Sequence, residues 1–386
     1  MTVETISLGC RLNFAEGETI ARAAPKDEQW VVVNSCSVTS EAVRQTRQAI
    51  RRAHRRRPDA RILVTGCAAE LDRRSFERMP EVSRVVGNAG KLQAFDAMTP
   101  KVASGSHSRV RSFVAVQNGC DHRCTFCSIW KARGNSVSLP FEAIRDAVAR
   151  EIDRGAREIV LTGVDITDYA GGLGALCQRL LASQSRLQRL RLSSLDSIEI
   201  DEALFELISG EPRLMPHFHL SLQAGDDMIL KRMKRRHSRS EAVAAVERIK
   251  ALRPGATIGA DLIAGFPTET EEMALNSLKL LDDCDIIAAH VFPFSPRPDT
   301  PAARMPQLDR DLVKARAARL RQAAAERRAA WLDSLVASEQ PVLIENKSKG
   351  HTDAFAPIFL AGAARGETGR ARVTGRQGDF LVGSWA

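Results

Sequence analysis

Arg109-Val110-Arg111-Ser112-Phe113-Val114-Ala115-Val116-Gln117-Asn118-Gly119-Cys120-Asp121-His122-Arg123-Cys124-Thr125-Phe126-Cys127 opens the longest run of alternating elements in the chain. Val110–Val116 is apolar and β-branched, the texture of a buried strand, and the loop after it carries three cysteines in a CxxxCxxC spacing. Downstream, Glu158–Leu161, Leu190–Leu192, His217–Leu220, Ala256–Ile263 and Ile286–Val291 read as further strands. Helical periodicity separates them at Phe141–Arg154, Leu173–Leu181, Glu202–Ser209, Arg239–Leu252 and Glu269–Leu281. Six strand–helix units in succession predict an α/β domain over residues 109–335, a partial (β/α)6 barrel two units short of the closed eight-fold form. The Ala- and Arg-rich stretch Asp309–Leu335 ends it as a long helix.

Working outward, Thr5–Leu8, Trp30–Asn34 and Arg61–Thr65 are short Val- and Ile-bearing runs, with the helical pattern Glu41–Arg57 between the last two. They predict a small parallel α/β sheet domain over residues 1–98, followed by a Ser- and Gly-bearing linker, Thr99–Ser108. After Ser338 short apolar runs are punctuated by Gly350, Gly362, Gly366, Gly369, Gly375, Gly378 and Gly383. That texture predicts a small all-β barrel over residues 337–386.

Of the 386 residues, 44% are hydrophobic and 27% charged, which excludes collagen, coiled coil and wholesale disorder. No apolar run reaches the ~18 residues of a membrane span, and no secretory signal opens the chain. Eight Cys in such a protein point to metal binding or catalysis in a reducing, cytoplasmic setting rather than to disulfides. The net charge of +9 is local: Arg44–Arg61 carries +7, Lys231–Arg239 +6 and Asp309–Trp331 +4, leaving −8 elsewhere. Concentrated basic surface suits a polyanion, because each neutralised phosphate releases counterions.

Three thiolates spaced as Cys120, Cys124 and Cys127 wrap three corners of a [4Fe-4S] cube and leave the fourth iron open to a ligand. A structural zinc site calls for four closed ligands, and His122 within the loop is not spaced to supply the fourth. Cys10, Cys36 and Cys67 each follow a predicted strand. Strand carboxyl ends share one edge of a parallel sheet, so these three converge as a candidate second metal centre. Cys177 and Cys284 lie within apolar helical patterns and are expected in the core.

Cys120, Cys124 and Cys127, with Phe126 before the third, resemble the motif of the radical S-adenosylmethionine (SAM) enzymes. The resemblance implies that the open iron chelates SAM and that an electron from the cluster cleaves it to a 5′-deoxyadenosyl radical. Together with Cys10, Cys36 and Cys67, the chain is similar throughout to the methylthiotransferases, which carry a second [4Fe-4S] cluster on three such N-terminal cysteines. Glu158–Asp165, Leu220–Asp226 and Asp261–Thr270 look like later barrel motifs of that family, and the C-terminal module resembles the RNA-binding TRAM domain.

The stretch Val291-Phe292-Pro293-Phe294-Ser295-Pro296-Arg297-Pro298-Asp299-Thr300-Pro301-Ala302 resembles the branch acting on N6-threonylcarbamoyladenosine at position 37 of tRNA. What this implies is radical insertion of a methylthio group at C2 of that adenine, with the tRNA anticodon loop, an electron donor such as a flavodoxin and a sulfur source as partners, and no membrane. Methylthiolation of isopentenyladenosine-37, or of an aspartate on a ribosomal protein, is the alternative within the family, and a non-catalytic iron–sulfur RNA-binding protein the alternative outside it. Arg297 is the candidate partner for the threonylcarbamoyl carboxylate. The chain departs from the family pattern after the third cluster cysteine, at Trp130 and Val137, and at Asp165 where many relatives have Asn. Beyond the six cysteines no side chain is assigned a catalytic role.

Overall fold

The computed structural model describes residues 3–96, 102–106 and 110–386. It begins with β1 (Glu4–Ser7), α1 (Arg11–Ala23), β2 (Trp30–Ser35), α2 (Ser40–Arg56), β3 (Arg61–Gly66), α3 (Cys67–Leu71), α4 (Arg73–Glu77) and β4 (Arg84–Val85). The four strands pair in parallel in the order β1-β2-β3-β4. Helices cover both faces, which is why β2 and β3 read as unbroken apolar runs. Val31, Val33, Ile62 and Val64 pack with Ile50 and Phe76 on one side, and Trp30, Val32 and Leu63 with Ile20 on the other.

Residues 102–106, expected within a linker, are structured instead. Here β5 (Ser104–Ser106) pairs antiparallel with β6 (Arg111–Ala115). The serine that suggested a flexible stretch is hydrogen-bonded inward: Ser104 Oγ donates to Glu151 at 2.9 Å, and its backbone exchanges bonds with Thr19 Oγ1 at 2.9 and 3.0 Å. Residues 97–101 and 107–109, which hold the expected boundary between the first two units, lie outside the described residues.

After β6 the chain forms β7 (Gln117–Asn118), α5 (Ile129–Arg133), β8 (Val137–Ser138), α6 (Phe141–Asp153), β9 (Glu158–Thr162), α7 (Leu173–Ser183), β10 (Arg189–Leu192), α8 (Glu202–Gly210) and β11 (His217–Gln223). Then come α9 (Asp227–Met233), α10 (Arg239–Leu252), β12 (Thr257–Ala264), α11 (Glu271–Asp283), β13 (Ile286–Pro293) and α12 (Arg310–Ser334). Parallel pairing runs β6-β9-β10 and β11-β12-β13, and the bridges Leu190–Leu214 and Leu195–Leu220 join the two ladders. The six expected strands therefore form one curved wall, and no pairing links β6 to β13 among the described residues. Val114, Ile159, Leu161, Ile258 and Leu262 face the surrounding helices. Phe113, Ala115 and Val160 point the other way, against Leu12 and Ala15 of α1, so the N-terminal unit packs onto the inner face of the barrel wall.

Several helix boundaries differ from expectation by one or two residues, and the start of α11 has a clear cause. α11 starts at Glu271 because Thr270 caps it by accepting from Met273 N, while Glu269 turns inward to Arg316 at 2.9 Å. The last five strands, β14 (Glu339–Asn346), β15 (Lys349–Thr352), β16 (Pro357–Leu360), β17 (Thr368–Gln377) and β18 (Phe380–Trp385), close into a barrel around Val342, Ile344, Ile358, Val373 and Leu381. No helix among the described residues is long and apolar enough to cross a membrane.

Candidate functional site

Parallel pairing sets the level of the N-terminal cysteines. Ser35 and Gly66 are register partners, so Cys36 and Cys67, which follow them, leave the sheet side by side. Cys10 stands at the N-terminus of α1, three residues beyond Ser7, itself the register partner of Asn34. Asn13 ties the loops together by donating to Leu8 O at 2.8 Å and Ser35 O at 2.9 Å. Gly9 has φ +87, and a Cβ there would come within 2.5 Å of the Cys36 sulfur; only glycine leaves this space open. Cys36 and Cys67 are buried and Cys10 is exposed. Burial, reinforced by Cys10 and Cys67, pushes the Cys36 thiol up to about 12.

The second triad lies on the loop between β7 and α5, anchored at both ends. Gly119 takes φ +76 where a Cβ would overlap the Asn135 backbone, and Cys120 N donates to Gly134 O at 3.1 Å. Thr125 N donates to Met233 O at 3.0 Å, so α9 fixes the middle of the loop. Burial pushes Cys120 up to about 12, with Asp165 adding to it, and Cys127 up to about 11. Burial acts the same way on Cys124, but His122 and Arg235 outweigh it and lower that thiol.

His122, inside the loop, faces an acidic wall: Asp165 at 3.4 Å, Glu199 at 3.4 Å and Asp196 at 3.7 Å. Arg235 binds Asp196 at 2.9 Å and approaches the Cys124 sulfur at 3.8 Å.

The segments that carry the two triads adjoin, since α3, which begins at Cys67, packs against α5, which starts two residues after Cys127. Arg133, at the end of α5, reaches from one to the other: its Nε donates to the Cys67 sulfur at 3.2 Å. A thiol that burial raises as it does Cys36 is stable as a thiolate only beside a cationic centre. An all-sulfur N-terminal donor set beside an open cradle at Gly9 suits iron–sulfur chemistry and not a hard cation. The three thiols of the second loop are an all-sulfur set as well.

Cys177 and Cys284 are fully buried in the barrel core, as expected. Trp130 lies under the Arg123 guanidinium, 4.6 Å from the ring centroid, Val137 is exposed, and the Asp165 carboxylate lies 3.9 Å from the Cys120 sulfur. Arg297 crosses to the N-terminal unit, where Nη1 donates to Ser40 Oγ at 3.1 Å while the buried Nε has no partner among the described residues. His219, Asp261 and His290, on three adjacent strands, share a carboxylate oxygen at 3.0 and 3.2 Å; lying far apart along the chain, they gave no motif.

The basic windows prove largely self-neutralised. Arg44, Arg47, Arg56 and Arg61 pair with Glu41, Asp72, Glu4 and Glu28, and Arg235 and Arg236 turn toward the cysteine loop. Arg52, Arg55, Lys231 and Lys234 have no acidic partner among the described residues.

Residues 114–281 match the radical SAM superfamily, and residues 2–87 match the uncharacterized protein family UPF0004. The chain is 42% identical to threonylcarbamoyladenosine tRNA methylthiotransferase MtaB of Rickettsia prowazekii, covering 92% of this chain and 91% of the relative. It is 32% identical to the protein of the same name in Thermotoga maritima, over 79% and 77%. It is 31% identical to the tRNA-2-methylthio-N(6)-dimethylallyladenosine synthase of Cereibacter sphaeroides, over 97% and 96%. Among solved structures, the radical S-adenosylmethionine methyltransferase TsrM of Kitasatospora setae superposes with a TM-score of 0.53 at 14% identity, over 75% of this chain and 66% of that one, just under two thirds of its length.

Proposed function

The chain belongs to the radical SAM tRNA methylthiotransferase family, and on that premise we propose that it inserts a methylthio group at C2 of N6-threonylcarbamoyladenosine at position 37 of tRNA. Cys120, Cys124 and Cys127 hold the SAM-binding [4Fe-4S] cluster, and Cys10, Cys36 and Cys67 hold the second. The units are residues 1–98, 109–335 and 337–386, the last an RNA-binding module. The observation that carries this reading is the meeting of the two cysteine-bearing segments at Arg133, which ends the helix after Cys127 and donates to the Cys67 sulfur at 3.2 Å.

When bound, one cluster would supply the electron that cleaves SAM and the other would present or donate the sulfur, with another SAM supplying the methyl. The C2–H bond is not acidic enough for side-chain bases, so the chain's own residues bind and orient. Cys36, Cys67 and Cys124 are buried, Arg235 and His122 hold Cys124 toward its thiolate, and α1 closes the inner face of the barrel. Nucleotide 37 lies in a single-stranded loop, so extruding its base costs little stacking. The partners are tRNA, a flavodoxin-like reductant and a sulfur source, and the setting is cytoplasmic.

Anaerobic reconstitution tests the reading: about eight iron atoms per chain, reductive cleavage of SAM, and 2-methylthio product in nucleosides of tRNA from cells that contain the gene and not from cells that lack it. A chain that binds about four irons at most would remove the second cluster.

A further inference from the structure

Arg133 is the most heavily bonded buried cation near the cysteines, and nothing above gives it a task. Its Nε donates to the Cys67 sulfur at 3.2 Å. Nη1 donates to Glu16 Oε1 at 2.9 Å and to Asn118 Oδ1 at 2.8 Å, and Nη2 to Asn13 Oδ1 at 2.6 Å and Glu16 Oε2 at 3.0 Å. Its side chain is 1% exposed and that of Glu16 4%. Lys91 Nζ binds the same carboxylate at 2.6 Å and Asn88 Oδ1 at 2.7 Å, while Asn88 Nδ2 donates to Ala132 O at 2.6 Å. Arg133 therefore begins six residues after Cys127 on the barrel and ends inside the N-terminal unit. One of its acceptors, Asn13, also holds the Cys10 and Cys36 loops by donating to Leu8 O and Ser35 O.

Two cations and one carboxylate leave one positive charge beside three sulfurs, away from solvent. Buried charges interact strongly, and a pair this costly to desolvate stabilises little by itself relative to apolar packing. What it does provide is a fixed N–H aimed at a cysteine sulfur. N–H···S bonds and local charge are among the terms that set iron–sulfur potentials, because both favour the more negative, reduced state.

We propose that Arg133 is a positioning residue for the N-terminal triad: it locks Cys67 to the segment that follows the other triad, and it raises the reduction potential of a cluster held by Cys10, Cys36 and Cys67. This rests on the two-cluster reading. Glu16 is the counterweight, since its negative charge lowers what Arg133 and Lys91 raise.

The test uses the full chain with Cys120, Cys124 and Cys127 replaced by Ala, so that only the N-terminal cluster titrates. Iron content is measured first, and then the midpoint potential by redox titration followed by electron paramagnetic resonance. At unchanged iron, Arg133→Gln moves the midpoint to more negative values, Arg133→Lys falls between Gln and the parent, and Glu16→Gln moves it the other way. If Arg133→Gln loses iron, Glu16→Gln, which keeps the shape of the side chain and one of its two acceptor oxygens, decides. Absence of iron in the triple-Ala parent overturns the two-cluster reading itself. Iron retained with potentials equal in the parent, Arg133→Gln and Glu16→Gln, or shifted with the opposite signs, overturns the role of Arg133 alone.

Discussion

Glu16 is a carboxylate whose surroundings pull in opposite directions. Burial would raise it, but Arg133 and Lys91 outweigh burial and hold it at about 2, against an ordinary 4.5. A depressed carboxylate contributes stability that is complete above its unfolded value and is lost as pH falls toward the folded one, so the window here runs from about pH 5 to pH 2. The shift corresponds to about 3 kcal/mol at neutral pH, of which about 1 kcal/mol is gone by pH 4. Anaerobic urea unfolding at pH 6 and pH 4 should show a stability gap between the native chain and Glu16→Gln that narrows with acid; a constant gap would count against the network. Replacing Cys10, Cys36 and Cys67 by Ala should halve bound iron, leave reductive SAM cleavage intact and abolish methylthio product. Loss of SAM cleavage in the folded variant would argue against separate roles. The six cysteines were legible in the sequence because two of the spacings are local and the others share strand-end context. Glu16, Lys91 and Arg133 were not, since each alone reads as a surface charge and only the docking of α1 against the barrel brings them together.

The strands and helices followed their apolar periodicity closely, because parallel sheets covered on both faces select long runs of Val, Ile and Leu. What periodicity misses is docking between units. The turn between β15 and β16 fits against the strand-start end of the barrel. Phe355 stacks on His217 with centroids 5.1 Å apart and on His351 at 4.5 Å, while the guanidiniums of Arg111 and Arg191 lie 4.9 and 4.8 Å from its ring. Asp353 pairs with Arg189, and Arg191 Nη1 donates to Asp353 O at 2.9 Å. Beneath them Glu158 accepts from Arg111 and Arg189 and forms an ion pair with Arg191. Burial, with Arg191 adding to it, drives His217 well below its ordinary range, so a neutral ring faces Phe355. The Gly-punctuated C-terminal barrel read as a separable module, yet one turn of it covers a buried cluster of arginines. Phe355→Ala should cost about 2–4 kcal/mol through lost burial and cation–π contact, read as a fall in thermal midpoint with iron content unchanged. A shift below about 0.5 kcal/mol would mean that the turn is not a structural cap.

Charge and substrate are properties of the assembled chain. Seventeen net positive charges gathered in three windows suggested a broad polyanion surface, but most of that charge is spent on internal pairs, because an Arg-rich helix beside acidic neighbours satisfies itself before it meets a phosphate. Arg52, Arg55, Lys231 and Lys234 stay without an acidic partner among the described residues. With each contacted phosphate contributing about −0.7 to the slope of log affinity against log salt for a single strand, tRNA binding should weaken with salt at a slope of a few units, well below what the bare sequence charge suggests. Discrimination must then come from the nucleoside itself. Isopentenyl is apolar, whereas threonylcarbamoyl ends in a carboxylate, which demands a cationic partner when buried. Among the described residues Arg297 has only the Ser40 hydroxyl on Nη1 and nothing on its buried Nε, and Cys36 contributes to its electrostatics. A guanidinium so lightly engaged is open to a bidentate carboxylate. The purified enzyme should modify threonylcarbamoyladenosine-containing tRNA and ignore isopentenyladenosine-containing tRNA, and Arg297→Ala should raise KM for the former by about tenfold to a hundredfold, the loss of one charge-assisted contact, while SAM cleavage persists. Efficient turnover of the isopentenyl substrate would refute the substrate assignment and leave methylthio transfer standing; an unchanged KM in Arg297→Ala would place the carboxylate's partner elsewhere in the crevice.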